Sequence, residues 1–432
     1  MKPNTLLFIL PAVRRALQSR TGVSCAKSRR TMPIARRSPG VLCHLLCGFG
    51  LALGAANTAF SQIGKYTVTE VPKPTWATAV GNPAVNYYGT VSANTSIGDH
   101  SRRLVAGPPF VCLKNGTSKV LPTLLKASGG GYDVGARVCS ISDSGLMIGW
   151  SPSFNGAHPI DQPPRTAYWM PNTVGVYSVH QLDTSSLPPE LDGRVWGLSS
   201  DGRFILFSGF GSTVVAELKP ADSGGLYIFR FWQLNSWTGN LGVTSSFGKD
   251  IHFQPGLVEG KGTVRVVGRC TDTAGYRHCF LWELGLVNDI EPATQTIKDL
   301  GPIGYFATVD GVNGTGEAVG YLKPTSSASY GTYWNENSAS LTIPSLAGGV
   351  PNSINDYGWV TGFSYSGKLF SKQAFLWHPD TNITRNLNSL KSAADSSGIE
   401  LTEGVEITNS GHIVCFGLKK GKPLLALATP TP

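Results

Sequence analysis

A degenerate unit returns roughly every 50 residues from Leu104 to the C-terminus. Its fullest copy runs Ser353-Ile354-Asn355-Asp356-Tyr357-Gly358-Trp359-Val360-Thr361-Gly362, then Ala374-Phe375-Leu376-Trp377 and Leu387-Asn388. A fixed period of this size means one supersecondary unit stacked many times, since a single unit cannot bury its own apolar faces. The first half of each unit is a polar turn between apolar runs, as in Ile141-Ser142-Asp143-Ser144-Gly145-Leu146 and Val312-Asn313-Gly314-Thr315-Gly316-Glu317. Asn and Asp tolerate the left-handed backbone and Gly adopts it freely, so each turn predicts a hairpin. The second half is an apolar-aromatic strand ending at Trp169, Trp232, Trp282, Trp334 or Trp377. Uneven spacing of these five predicts loop insertions on a constant frame.

Four short strands per unit predict an all-β chain. The period fits β-propeller blades. About seven units are countable, which predicts seven four-stranded blades; six or eight blades, or a β-solenoid, are the alternatives. The five tryptophans are then the core between sheets. Tyr66-Thr67-Val68-Thr69-Glu70-Val71 is expected to close the ring in the last blade, beside 413–416 or 424–428. One short helix is expected near 389–395.

At these residues the chain resembles the HAF repeat family of bacterial extracellular proteins, built from I-N-x-x-G-x-V-V-G and A-F-L-W halves. The run 387–430 is similar to that family's closing unit. Gln373 replaces the signature His, and Cys415 stands where the family has Gly. The resemblance implies a secreted repeat protein and brings no catalytic residue with it.

The formal charge of +9 over 432 residues is misleading, because residues 1–61 hold nine Lys or Arg and no acid. The remainder carries 27 of each sign, which argues against a nucleic-acid binder. Arg36-Arg37, the apolar run 41–56 and the small residues before Ser61 follow the order of a secretory signal. Cleavage between Ser61 and Gln62 is expected, leaving 62–432 as one monomeric repeat domain, exported to the cell surface, the medium or the periplasm. Met32 is an alternative start. The apolar run is short for a membrane span, and no later segment suits one.

Five cysteines follow the leader, an odd number. Cys270 and Cys279 flank the turn 272–275 and are candidates for a disulfide; the alternative is that both are buried free thiols. No zinc spacing, nucleophile elbow or phosphate loop occurs, so no cofactor or metal is expected. Asp143-x-Gly145 and Asp356-x-Gly358 approach the Asp-box of sialidases, but Ile141 and Ile354 stand where that motif needs Ser or Thr. The leading expectation is a non-catalytic binding module or surface scaffold whose partner is an extracellular glycan or protein. Long connections at 151–165, 213–226 and 235–255, with Trp237, Trp359 and Tyr330, are candidates for sugar stacking. The alternative is a glycan-active propeller enzyme, hydrolase or lyase, drawing on Asp183, Glu190, Asp192, Asp289 or Glu291. Carboxylates clustered in the central channel would favour the enzyme; an aromatic strip beside polar groups would favour binding.

Overall fold

Each repeat turn joins the two inner strands of an antiparallel sheet, and seven such sheets stand around one axis. The computed structural model describes residues 65–431, apart from 99–103, 126–132, 134, 152–163, 210, 223, 235–242, 258–260, 276, 288–293, 303–305, 324–329, 348 and 367–370. The leader and the Ser61–Gln62 junction therefore lie outside the described residues. From the axis outward, strands run in chain order in blades 1 to 6, which begin at Ala79–Val85, Arg137–Ile141, Val195–Leu198, Val243–Pro255, Phe306–Val312 and Val350–Ile354. Blade 1 carries one extra short strand, Leu104–Ala106. Blade 7 takes Ile399–Ile407, Ile413–Lys419 and Lys422–Pro430, then receives Tyr66–Glu70 as its outermost strand. The chain is a seven-bladed β-propeller, closed by its N-terminal strand pairing Tyr66 with Pro430 and Glu70 with Ala426.

The repeat motif is a clip between blades. Asn355 Oδ1 accepts from Tyr357 N and Trp359 N, holding its own turn, while its Nδ2 donates to Thr408 O of blade 7 at 2.9 Å. Asn313 does the same toward Asn355 O at 3.0 Å, and Asn86 toward Ser142 O at 3.1 Å. The next residue reaches backward: Asp356 Oδ1 accepts Gly314 N, and Asp143 Oδ1 accepts Tyr87 N. Asn thus serves one role and Asp another because only Asn carries a donor. Gly358 completes the turn at φ +79°, a backbone that side chains resist.

Tryptophans fill the seams. Trp169, Trp282, Trp334 and Trp377 are each fully buried on the third strand of their blade, packed against the preceding blade. Trp169 and Trp334 also satisfy their indole N–H groups, on Pro122 O and Leu300 O at 2.7 Å each. Trp232 departs from the expectation. It lies half-buried on Leu226–Gln233, the outermost strand of blade 3. Register places Ala216, opposite Ile205, where the other blades hold Trp. The third strand of that blade is Ser212–Pro220, which takes up much of the stretch 213–226 expected to be a loop. The stretch 235–255 likewise contains the innermost strand of blade 4. The expected helix is a 3₁₀ turn, Leu387–Leu390.

Cys270 and Cys279 do not form the expected bridge. Register sets Cys270 against His278 and Cys279 against Arg269. The two cysteines thus stand at neighbouring ladder positions, which face opposite sides of a sheet. Cys270 packs toward blade 3 and Cys279 toward blade 5. Both are free, as are Cys112, Cys139 and Cys415. Burial raises the pKa of all five thiols, so they remain unreactive protonated groups. No helix among the described residues is long and apolar enough to cross a membrane.

Candidate functional site

Every innermost strand carries a β-bulge, two residues before the apolar residue that opens the repeat turn in six blades and before Ile251, its counterpart, in blade 4. Register shifts mark it between Gly81 and Ala84, Val138 and Ser140, Val195 and Gly197, and Gly248 and Asp250. The last three blades repeat it between Val309 and Gly311, Pro351 and Ser353, and Gly404 and Glu406. A bulge adds a residue that the neighbouring strand does not pair, so its side chain is re-aimed. The unpaired residues Pro83, Cys139, Trp196, Lys249, Asp310, Asn352 and Val405 form a ring, one from each blade. All but Asn82's neighbour Pro83 come as single insertions, and all line one cavity of about 370 Å³ at this end of the axis. The bulge also explains the glycine that ends the repeat's V-V-G run. A Cβ at Gly149, Gly268, Gly320 or Gly362 would strike the inner-strand carbonyl opposite. In blade 7 the exchange is reversed, with Cys415 facing Gly404.

One residue further along sit Ala84, Ser140, Gly197, Asp250, Gly311, Ser353 and Glu406. The polar members bind the next blade at the equivalent position. Asp250 Oδ2 accepts Val312 N at 3.0 Å, Ser353 Oγ accepts Ile407 N at 3.2 Å and Glu406 Oε2 accepts Val85 N at 3.0 Å. Burial raises the pKa of both acids, against the lowering effect of these backbone N–H groups. Asp250 rises to about 6 and Glu406 to about 8, so Glu406 is mainly protonated at neutral pH. These two carboxyls form the waist of the channel, shared between the 370 Å³ cavity and one of about 120 Å³ on the turn side.

At the turn end, His252 Nε2 lies 3.2 Å from Asp356 Oδ1, and Asp143 lines the same mouth. Burial lowers the His252 pKa and raises that of Asp143. Blade 4 has no repeat turn here; its inner strands run on as a long hairpin that places His252 over the mouth.

The bulge end is chemically different. Trp196 is 38 % exposed, and its ring meets Phe247 edge-on at 4.7 Å. Its indole N–H donates to Ser208 O at 2.8 Å, which fixes the ring. Lys249 Nζ stands 5.7 Å from the Trp196 ring and 3.9 Å from Asp310 Oδ1; the Arg269 guanidinium lies 5.2 Å from the Phe247 ring. The two aromatics separate a cleft of about 230 Å³ beside Trp150 and Arg194 from one of about 200 Å³ beside Lys249, Arg269 and Asp310.

The sugar-stacking candidates named from sequence lie elsewhere. Trp237 is outside the described residues, Trp359 packs on His378 at 4.5 Å, and Tyr330 is exposed at the start of a third strand. Asp183 caps Ser185 N, and Asp192 binds Thr166 N and Oγ1. Glu190 lies in the 3₁₀ turn Pro189–Leu191. None of these three lines a channel cavity described above. Asp289 and Glu291 are outside the described residues. Trp196 is legible in sequence only on aligning the repeats at Ile141, Leu198 and Ile251, as the variable position two residues earlier; Phe247, four residues before Ile251 and paired with Arg269, carries no such signal. Among the described residues no group of three His, Cys, Asp or Glu side chains is arranged to hold a metal ion.

No protein-family model matches the chain, and no curated protein does. Solved structures resemble it loosely. The β-propeller domain of the Trilobed protease from Pyrococcus furiosus aligns at TM-score 0.45 and 10% identity, covering 83% of this chain and 97% of that one. A prolyl endopeptidase aligns at 0.41 and 14%, covering 81% and 46%. A PL25 ulvan lyase aligns at 0.37 and 10%, covering 84% and 94%. Similarity this loose assigns no activity.

Proposed function

We propose that the protein is exported and acts as a non-catalytic recognition module, binding an extracellular glycan at the bulge end of its axial channel. The observation that carries this reading is the fixed, part-exposed Trp196–Phe247 wall beside Lys249, Arg269 and Asp310. Aromatic faces stack on the apolar faces of sugar rings, while a few charged groups orient hydroxyls. The basic leader and apolar run support export, and the repeat supports kinship with the HAF repeat proteins. A glycan array of the purified protein, with mass spectrometry of each spot, tests the proposal. Binding without cleavage is expected, with W196A remaining cooperatively folded and losing about tenfold or more in affinity, tenfold being about 1.4 kcal/mol. Binding unaffected by W196A and F247A would sink it.

One observation favours an enzyme as the second reading: Asp250 and Glu406 share the channel waist with raised pKa values. Paired carboxyls with separated acidities are what acid–base glycoside cleavage requires. Both also staple backbone N–H groups of the next blade, which already accounts for their placement. Cleavage products in the same array, abolished by E406Q, would establish the enzyme.

A further inference from the structure

We infer that the glycan bound at Trp196 and Phe247 is acidic, a polysaccharide whose sugars carry carboxylates. This deepens the glycan reading and rests on it. The cleft between Phe247 and blade 5 is lined by two cations, Lys249 and Arg269, against one carboxylate, Asp310. Burial weakens even that carboxylate's acidity, opposed by Thr308, Lys249 and Arg269. The neighbouring cleft adds Arg194 and no acid among its lining residues. Beyond the leader the chain balances its charges, 27 against 27, so a local cationic excess at an aromatic wall is not a by-product of composition.

The placement of the cations is also specific. Lys249 is the bulge residue of blade 4, next in the ring to Trp196 of blade 3 and Asp310 of blade 5. Lys249 touches both neighbours through its ammonium, at 5.7 Å from the indole and 3.9 Å from the carboxylate. Arg269 lies over Phe247, which holds a planar guanidinium with its edge available for a two-point carboxylate contact. A neutral sugar would gain from the rings alone. A uronate stacked on Trp196 would also place its carboxylate between the ammonium and the guanidinium. The axial cavity itself carries Asp250, Asp310, Glu403 and Glu406, so the cationic contacts belong to the side cleft at Phe247 and not to the channel axis.

Calorimetric titration of the purified protein with oligogalacturonate, with its fully methyl-esterified form and with neutral galactan tests this. The acid form should bind about tenfold tighter than its ester, since one charge-assisted contact is worth at least that factor. The preference should shrink as salt rises from about 50 mM to about 500 mM, where screening closes in to a few ångströms. R269Q and K249Q, checked for unchanged melting temperature, should bring acid and ester to equal affinity; W196A should weaken both forms. Equal affinity for acid and ester would overturn the inference while leaving glycan recognition standing. Binding of none of the three, with an array that is also silent, would overturn the recognition reading and this inference with it.

Discussion

Glu406 shows how much a single side chain depends on what surrounds it. On the sequence it is one of several acids in 400–406, beside Glu400 and Glu403. In the fold it is buried at the waist of the channel, accepts Val85 N, and titrates near 8, chiefly because burial penalises its charge. An acid whose folded pKa lies above its unfolded value holds an extra proton in the native state. Native stability therefore falls as pH rises from the ordinary Glu range through about 8. Asp250 adds to the same trend up to about 6. Melting curves from pH 5 to 8.5 should show the wild type losing stability with rising pH and E406Q losing clearly less, since an amide does not titrate. Equal slopes would show that Glu406 is not perturbed as described. Nothing in the sequence announces this, because the acidity comes from seven blades meeting at an axis and not from a neighbour in the chain. By contrast Asn355 and Asp356 were legible at once, as their turn chemistry is local.

At the scale of strands, the repeat signalled the right elements but misassigned one. Arg230-Phe231-Trp232 imitates the aromatic third strand so closely that 213–226, which holds all but the first residue of the real third strand, reads as a loop in the sequence. The core does not need the tryptophan there: Ala216 suffices because Tyr168, Ile205 and Phe207 fill the seam between blades 2 and 3. Trp232 instead takes the Arg230 guanidinium over its ring at 4.8 Å on a partly solvated strand. Truncation should separate the two roles. W377A, removing a side chain with no exposure that packs on Val319 and Tyr333, should cost about 3–5 kcal/mol. W232A should cost about 1 kcal/mol, the ordinary scale for a partly exposed site. Denaturant titration of both variants checks this, and equal losses would mean that Trp232 belongs to the seam after all. The disulfide expectation failed for a related reason. Residues flanking a turn look close in sequence, yet the ladder puts Cys270 and Cys279 at adjacent positions and so on opposite faces. Sequence spacing reports distance along a hairpin far better than it reports side-chain direction.

For the whole molecule, closure is legible because Tyr66–Val71 and the run 424–428 both read as strands and a ring of stacked units leaves an open edge otherwise. The closing strand is short but well anchored. Tyr66 and Val68 are buried, Tyr66 O accepts Ser392 N, and Thr431 N donates to Lys65 O. Deleting Tyr66–Glu70 exposes two large apolar side chains' worth of core, about 3–6 kcal/mol, and bares the edge of Lys422–Pro430. The deletion variant should melt earlier and aggregate, and a peptide spanning 65–72 supplied in excess should recover part of the lost stability. Unchanged melting would mean that the ring holds without its clasp. The ring of bulges has a different consequence, for descent and not for stability. Two kinds of position share the same repeat: Asn, Asp, Gly and the apolar pairs are committed to turns and seams, whereas each bulge residue is skipped by the strand ladder, even where its side chain bonds a neighbour as Asn352 bonds Gly404 O. Selection can therefore vary this position from blade to blade, as Pro83, Cys139, Trp196, Lys249, Asp310, Asn352 and Val405 already do, changing what the mouth accepts while the strand ladder of the propeller stays paired.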